Sequence, residues 1–141
     1  RAEKTAQALA DVRRLITAFD SKLWAIENPV GLIGTRITPA FDTVQPYEFG
    51  DDASKRTCFY GNLPPLRRDS AKRLPGRMVI DPRNGKTVER WANQTDSGQN
   101  RLPPSADRWA LRSETYPGLA AAIAEQWGAY EPQRNLFGEA A

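Results

Sequence analysis

The sequence predicts an α/β fold, and three features carry that expectation. Apolar side chains repeat at helical spacing up to Phe19, a short continuous apolar run follows, and residues 42–60 hold two β-rich runs around a turn. In the first helix Ala8, Leu9, Val12, Leu15, Ile16 and Phe19 share one side, while Asp11, Arg13 and Arg14 fall on the other. Asp20-Ser21 ends it. Lys22-Leu23-Trp24-Ala25-Ile26 has the pattern of a buried strand, expected to run parallel to its neighbours. Glu27-Asn28-Pro29 stops that strand, because proline has no N–H for a ladder. Polar residues at such a strand end are where open α/β sheets bind ligands.

Asp42–Phe49 and Lys55–Tyr60, around Gly50-Asp51-Asp52-Ala53-Ser54, read as an antiparallel hairpin, with Pro46 marking an edge or a bulge. From Asn62 to Pro104 periodicity is weak. Met78-Val79-Ile80 and Thr87-Val88-Glu89 around Asn84-Gly85 are candidate short strands within an otherwise irregular insertion. A closing helix follows Thr115-Tyr116-Pro117-Gly118, with Thr115 or Ser113 as its cap, Leu119, Ile123 and Trp127 on one face, and Gly128 at its end.

Composition narrows the function classes. Of 141 residues 40% are apolar, with 11 prolines and 10 glycines, which excludes a collagen-like chain, a coiled coil and a fully disordered polymer. No apolar run approaches the roughly 18 residues of a membrane span. One cysteine, Cys58, excludes an intrachain disulfide and a cysteine-built zinc site. Without histidine, imidazole triads are absent and catalysis would run on carboxylates, Arg, Lys or amides. The first residue is Arg1 rather than Met, and the chain reads as a piece of something longer.

Charge divides the chain into three parts. Residues 1–65 balance at zero, residues 66–112 carry eleven basic against five acidic side chains (+6), and residues 113–141 sum to −3. A basic middle between neutral and acidic parts suits an anionic partner, nucleic acid first, or else a solvated arginine-rich loop.

Several strings are familiar in order. Trp24-Ala25-Ile26-Glu27-Asn28-Pro29-Val30-Gly31, Gln45-Pro46-Tyr47-Glu48-Phe49-Gly50, Lys55-Arg56-Thr57-Cys58 and Gly61-Asn62-Leu63-Pro64-Pro65-Leu66 come first. Asn93–Asn100, Pro104–Trp109, Arg112–Gly118 and Ala124–Gly128 follow. Together they resemble the C-terminal part of phage-type proteins related to DNA cytosine-5 methyltransferases. The resemblance implies a partial Rossmann-like (class I methyltransferase) fold: residues 1–65 as half of the sheet domain, 66–112 as a target-recognition-like segment, and 113–141 as a closing helix and tail. It implies S-adenosylmethionine as cofactor, double-stranded DNA as partner, and an N-terminal segment or subunit that completes the domain. It also implies no membrane, and the cytoplasm of a bacterial or phage-infected cell.

In that family a Glu-Asn-Val motif at a strand end supplies a glutamate for the extruded cytosine. Glu27-Asn28 match it, with Pro29 in place of Val, so the resemblance makes Glu27 the catalytic carboxylate and Glu27 with Asn28 the base contact. The alternative is that Glu27 caps a turn that Asn28 shapes. The family's Gly-rich cofactor loop and Pro-Cys nucleophile loop are not in this sequence. Gly31-Leu32-Ile33-Gly34 is not that fingerprint, and Cys58, with no preceding proline and in a β-rich run, reads as a small buried residue.

Candidate DNA contacts are Arg36, Lys55, Arg56, Arg67, Arg68, Lys72, Arg73 and Arg77. Arg can read guanine or clamp phosphate, whereas Asn93, Gln94, Gln99 and Asn100 suit adenine edges. Local salt bridges and a solvated loop compete with each assignment. Trp24, Trp91, Trp109 and Trp127 read as packing anchors, and Asp107-Arg108 as a local ion pair. Two functions remain: part of a cytosine methyltransferase that is inactive without its other half, or a non-catalytic nucleic-acid-binding or phage accessory module.

Overall fold

The computed structural model describes residues 2–19, 23–29 and 31–131. The helix stop at Asp20-Ser21, Lys22 of the apolar run, Val30 of the familiar string and the tail from 132 onward lie outside the described residues. The class is mixed α/β, with two small antiparallel sheets and four α-helices among the described residues.

Helix α1 spans Ala2–Ala18, as its apolar spacing dictates, and strand β1 spans Ala25–Pro29. Helix α2 (Leu32–Arg36) leads to β2 (Asp42–Val44), and a 3-10 turn over Pro46–Phe49 precedes β3 (Thr57–Gly61). The first sheet has the order β1-β3-β2. β1 runs antiparallel to β3, with Glu27 opposite Phe59 and Asn28 opposite Cys58. This corrects the parallel strand expected over 22–26 and stopped by Glu27-Asn28-Pro29: those three residues are part of the antiparallel ladder. A continuous apolar run reports burial on both faces and carries no information on strand direction. The strand buried on both faces is in fact β3, where Thr57, Cys58, Phe59 and Tyr60 are all buried.

Alternation along β3 divides the core in two. Phe59 joins Val44, Phe49, Leu66 and Leu119, with Ile123 and Trp127 packed against them from helix α4 (Pro117–Trp127). Trp127 meets Phe59 edge to face with ring centroids 5.0 Å apart. Cys58 and Tyr60 look the other way, onto Ile33 of α2 and Val12 of α1. Cys58 is therefore a small buried core residue, as expected. Only part of α1's apolar side is used: Leu15 and Phe19 stay exposed, as does Leu23 beyond them.

β1 and β3 approach closely where the chain leaves β3. A Cβ on Gly61 would lie 2.2 Å from the Trp24 carbonyl oxygen, so glycine alone fits. The 42–60 hairpin is present as β2 and β3, but Pro46 begins the 3-10 turn rather than sitting in a strand. Its fixed φ suits the first position of a helical turn.

The segment 66–112 is less irregular than its composition suggests. β4 (Arg77–Ile80) and β5 (Thr87–Arg90) pair around the Asn84-Gly85 turn. Trp91 is buried, stacks on Tyr47 at 3.8 Å and donates from Nε1 to the Leu74 carbonyl at 3.0 Å. That stack fastens the hairpin to the 3-10 turn. A fourth helix, α3 (Arg108–Ser113), stands before α4.

Candidate functional site

Residues 27–28 of β1, residues 54–56 and α3 enclose an open cleft of about 730 Å³. Glu27, Asn28, Lys55 and Arg56 all line it, so four of the residues singled out in the sequence converge although they come from two separate strings. Glu27 is on the face of β1 that its register partner Phe59 shares, the side on which α4 packs.

Donors surround the Glu27 carboxylate. Thr115 Oγ1 donates to Oε2 at 2.9 Å, and Lys55 Nζ lies 3.5 Å from Oε1 while also donating to the Glu114 carbonyl at 3.0 Å. The glutamate is thus oriented by the α3–α4 connection, 88 residues away in sequence, rather than capping its own turn. The loop beneath is pinned by Asn93. Its Oδ1 accepts from Ser54 N–H, and its Nδ2 donates to the Ser54 carbonyl, both at 2.9 Å, and to Tyr116 Oη at 3.2 Å. Asn93 spends both amide protons on holding the cleft together, so it cannot make the paired donor–acceptor contact to an adenine edge. Asn100 reaches the cleft wall, with its Oδ1 accepting from Leu102 N–H at 2.8 Å.

Among the described residues neither Arg56 nor Arg112 pairs with a carboxylate, and both are exposed in the cleft. Beside them Trp109 is 75% exposed, the largest departure from the packing role expected of the tryptophans. Trp109 and Arg112 are the cleft residues that the sequence reading missed. The available signal was their i, i+3 spacing, which puts an aromatic ring and a guanidinium on one side of a short helix. Arg108 is not paired with Asp107: its Nε is buried without an acceptor.

The remaining predicted cations are dispersed. Arg36 ends α2 away from the cleft, where its carbonyl accepts from Arg13 at 2.9 Å. Arg68 holds buried Asp42 at 2.7 Å, and Arg73 holds Glu89 at 2.6 Å with its guanidinium 5.2 Å from the Tyr47 ring centre. Arg77 holds Asp96 at 2.5 Å. Arg67 and Lys72 border a separate hollow with Asp69, Glu125 and Gln126. Arg83 and Arg90 both reach buried Asp81, at 2.7 and 3.0 Å, and the Arg83 hydrogen bonds hold that carboxyl well below the usual carboxylate range. Likewise Arg73 lowers Glu89. Five of the eleven basic side chains of this segment are therefore engaged in ion pairs among the described residues.

Gly31 and Gly34 do not form a cofactor loop. They flank the start of α2, where Ile33 is buried and a Cβ on Gly34 would touch the Tyr60 hydroxyl at 3.4 Å. Cys58 is 5% exposed, with its sulfur 3.6 Å from Thr43 Oγ1, and does not open onto the cleft. Neither this glycine pair nor Cys58 thus offers S-adenosylmethionine or a thiolate nucleophile a fitting site. No group of three or more metal-ligating side chains gathers among the described residues either. No helix among the described residues is long and apolar enough to cross a membrane.

A scan of protein-family models, a search of curated proteins and a search of solved structures each find no match to this chain.

Proposed function

We propose that this chain is the base- and DNA-contacting C-terminal portion of a DNA cytosine-5 methyltransferase-like protein, with a partial Rossmann-like fold completed by another segment or subunit. The observation that carries the reading is Glu27 on the wall of the cleft, held between Lys55 and Thr115 and joined there by Asn28 and Arg56. A carboxylate in that setting accepts from the exocyclic amino group of an extruded cytosine, and the exposed guanidinium of Arg56 meets the flanking phosphate. S-adenosylmethionine and the cysteine nucleophile belong, on this reading, to the completing part, because the residues here do not fit them. That part would cover the outer edge of β1 and the exposed Leu15, Phe19 and Leu23 beside it. The compartment is the cytoplasm of a bacterial or phage-infected cell.

The test is binding to duplex DNA carrying one unpaired cytosine, against the same duplex with an unpaired thymine. A preference for cytosine of about tenfold, lost in Glu27→Gln, is expected, since one well-formed polar contact to a base discriminates by roughly 1–3 kcal/mol. Equal affinity for the two duplexes, or a preference that survives Glu27→Gln, overturns the role of Glu27. A second reading, a non-catalytic nucleic-acid-binding or phage accessory module, draws support from the burial of Cys58. Methyl transfer to cytosine on mixing with a part that holds the cofactor loop and nucleophile would exclude it.

A further inference from the structure

With DNA taken as the ligand of the cleft, as proposed above, we infer that Trp109 is a stacking platform for a DNA base, and that Arg112 and Arg56 take the phosphates beside it. Trp109 is three-quarters exposed, whereas Trp91 is buried and Trp127 packs into the core. The indole on the six-residue α3 leaves apolar surface in water that a stacked base would cover. Its surroundings are those of a strand-binding groove rather than of a protein interface. Two guanidiniums with no carboxylate partner among the described residues share the cleft, together with Lys55, the amides of Asn28 and Asn100, and Ser54 and Ser113.

Base–aromatic stacking is indifferent to sequence, because every base has a π-face, and cations alongside track the backbone. Glu27 and Trp109 then divide the work within one cleft. The carboxylate meets an edge and so distinguishes bases, while the indole meets a face and supplies affinity. Arg112, three residues after Trp109, lies on the same side of α3 and brings its charge to the same cleft.

The experiment measures the affinity of the full chain for a 12-nucleotide single-stranded DNA by fluorescence anisotropy, with intrinsic tryptophan emission recorded in the same titration. Binding is expected to quench that emission. Trp109→Ala is expected to weaken affinity by roughly 5- to 100-fold, the loss produced by removing one base–aromatic stack. Its salt dependence should stay unchanged, because no charge is removed. Trp109→Phe keeps a ring and should recover affinity to within about threefold while losing most of the quench. Arg112→Ala and Arg56→Ala should each flatten the salt slope by about 0.7, the value for one phosphate contact on a single strand. Absence of binding by the unmodified chain overturns the inference. So does a Trp109→Ala affinity within twofold of the original, or a Trp109→Phe as weak as Trp109→Ala. Circular dichroism of each variant checks that the exposed substitutions leave the fold intact. Failure of the Glu27 reading is separate: a chain that prefers no base yet loses affinity with Trp109→Ala keeps the stacking platform and loses the cytosine assignment.

Discussion

Asp51 caps a helix that begins 66 residues after it, its Oδ1 accepting from the backbone N–H of Gly118 at 2.9 Å and its Oδ2 from that of Leu119 at 3.1 Å. Helix α4 has no side-chain cap of its own: Tyr116 stands at the N-cap position, the Thr115 hydroxyl is turned to Glu27, and that of Ser113 to the Ala110 carbonyl. The loop from the first hairpin thus supplies what the local sequence withholds. The approach is close, since a Cβ on Gly118 would sit 2.3 Å from the Phe49 carbonyl oxygen. Asp51→Ala should destabilise the fold by about 1–2 kcal/mol, the usual worth of a cap that also faces the helix dipole. Asp51→Asn, which keeps an acceptor, should lose less. Urea denaturation followed at 222 nm measures both, and an Asp51→Ala midpoint equal to the original would refute the cap.

Arg68 belongs to the fold before it belongs to any ligand. Its guanidinium meets Asp42 at 2.7 Å and donates to the Leu66 and Thr43 carbonyls at 2.8 and 2.9 Å, while the same Asp42 accepts from Leu66 N–H at 2.9 Å. The Asp42 side chain is 7% exposed, so removing Arg68 strands a nearly buried carboxylate. Arg68→Ala is expected to cost about 2 kcal/mol, toward the low end for breaking such a pair because Arg68 itself stays one-third open. Lys72→Ala, with no carboxylate partner among the described residues, should change stability by less than about 0.5 kcal/mol. Equal melting temperatures for the two variants would contradict this division.

Local periodicity and turn chemistry were legible in the sequence, and long-range pairing was not. The face of α4 shows in Leu119, Ile123 and Trp127 because helical spacing is written within a dozen residues, and Asn84-Gly85 announces the β4–β5 turn by itself. The direction of β1 depends on a partner about 30 residues away, and an apolar run looks the same in either direction. The Glu27 site was half legible. Its residue type could be read, but Glu27 stands in the middle of β1 rather than at a strand end, and the orienting Thr115 lies 88 residues distant. The ion pairs of Arg68, Arg73 and Arg77 are not legible for the same reason: their acceptors Asp42, Glu89 and Asp96 are identified only once the chain has folded. Trp109 was assigned to packing by its size, and exposure is not a property of a residue type.

Acid should weaken the β4–β5 hairpin in a defined direction. The Asp81 carboxyl is lowered chiefly by its hydrogen bonds to Arg83, so folding favours its ionised form. Such a group contributes stability that is fully present above its unfolded pKa of about 4 and is lost as pH falls from there toward the depressed folded value. Glu89, lowered by Arg73 and by the Gly76 N–H, acts in the same sense. The melting temperature should therefore fall below about pH 4. The gap between the original chain and Asp81→Asn should narrow over the same range, because the original then loses the charge that the variant never had. A gap that is constant from pH 6 to pH 2.5 would remove Asp81 as its source.

Asn93 offers the sharpest contrast between reading a base and building a wall. Had its amide been a base reader, Asn93→Ala would lower DNA affinity and leave the melting temperature alone. Its three hydrogen bonds instead tie Ser54 and Tyr116 together under the cleft, so the loss should appear first in stability. Asn93→Ala leaves the Ser54 N–H and carbonyl short of partners, and about 1–3 kcal/mol is the expected cost. Asn93→Asp should be at least as damaging, since a carboxylate accepts from the Ser54 N–H but faces the Ser54 carbonyl with no proton to give. Urea denaturation of both variants, run beside oligonucleotide binding, decides the matter. An Asn93→Asp chain as stable as the original would mean that the Nδ2 bonds contribute nothing and that the amide is free for a ligand.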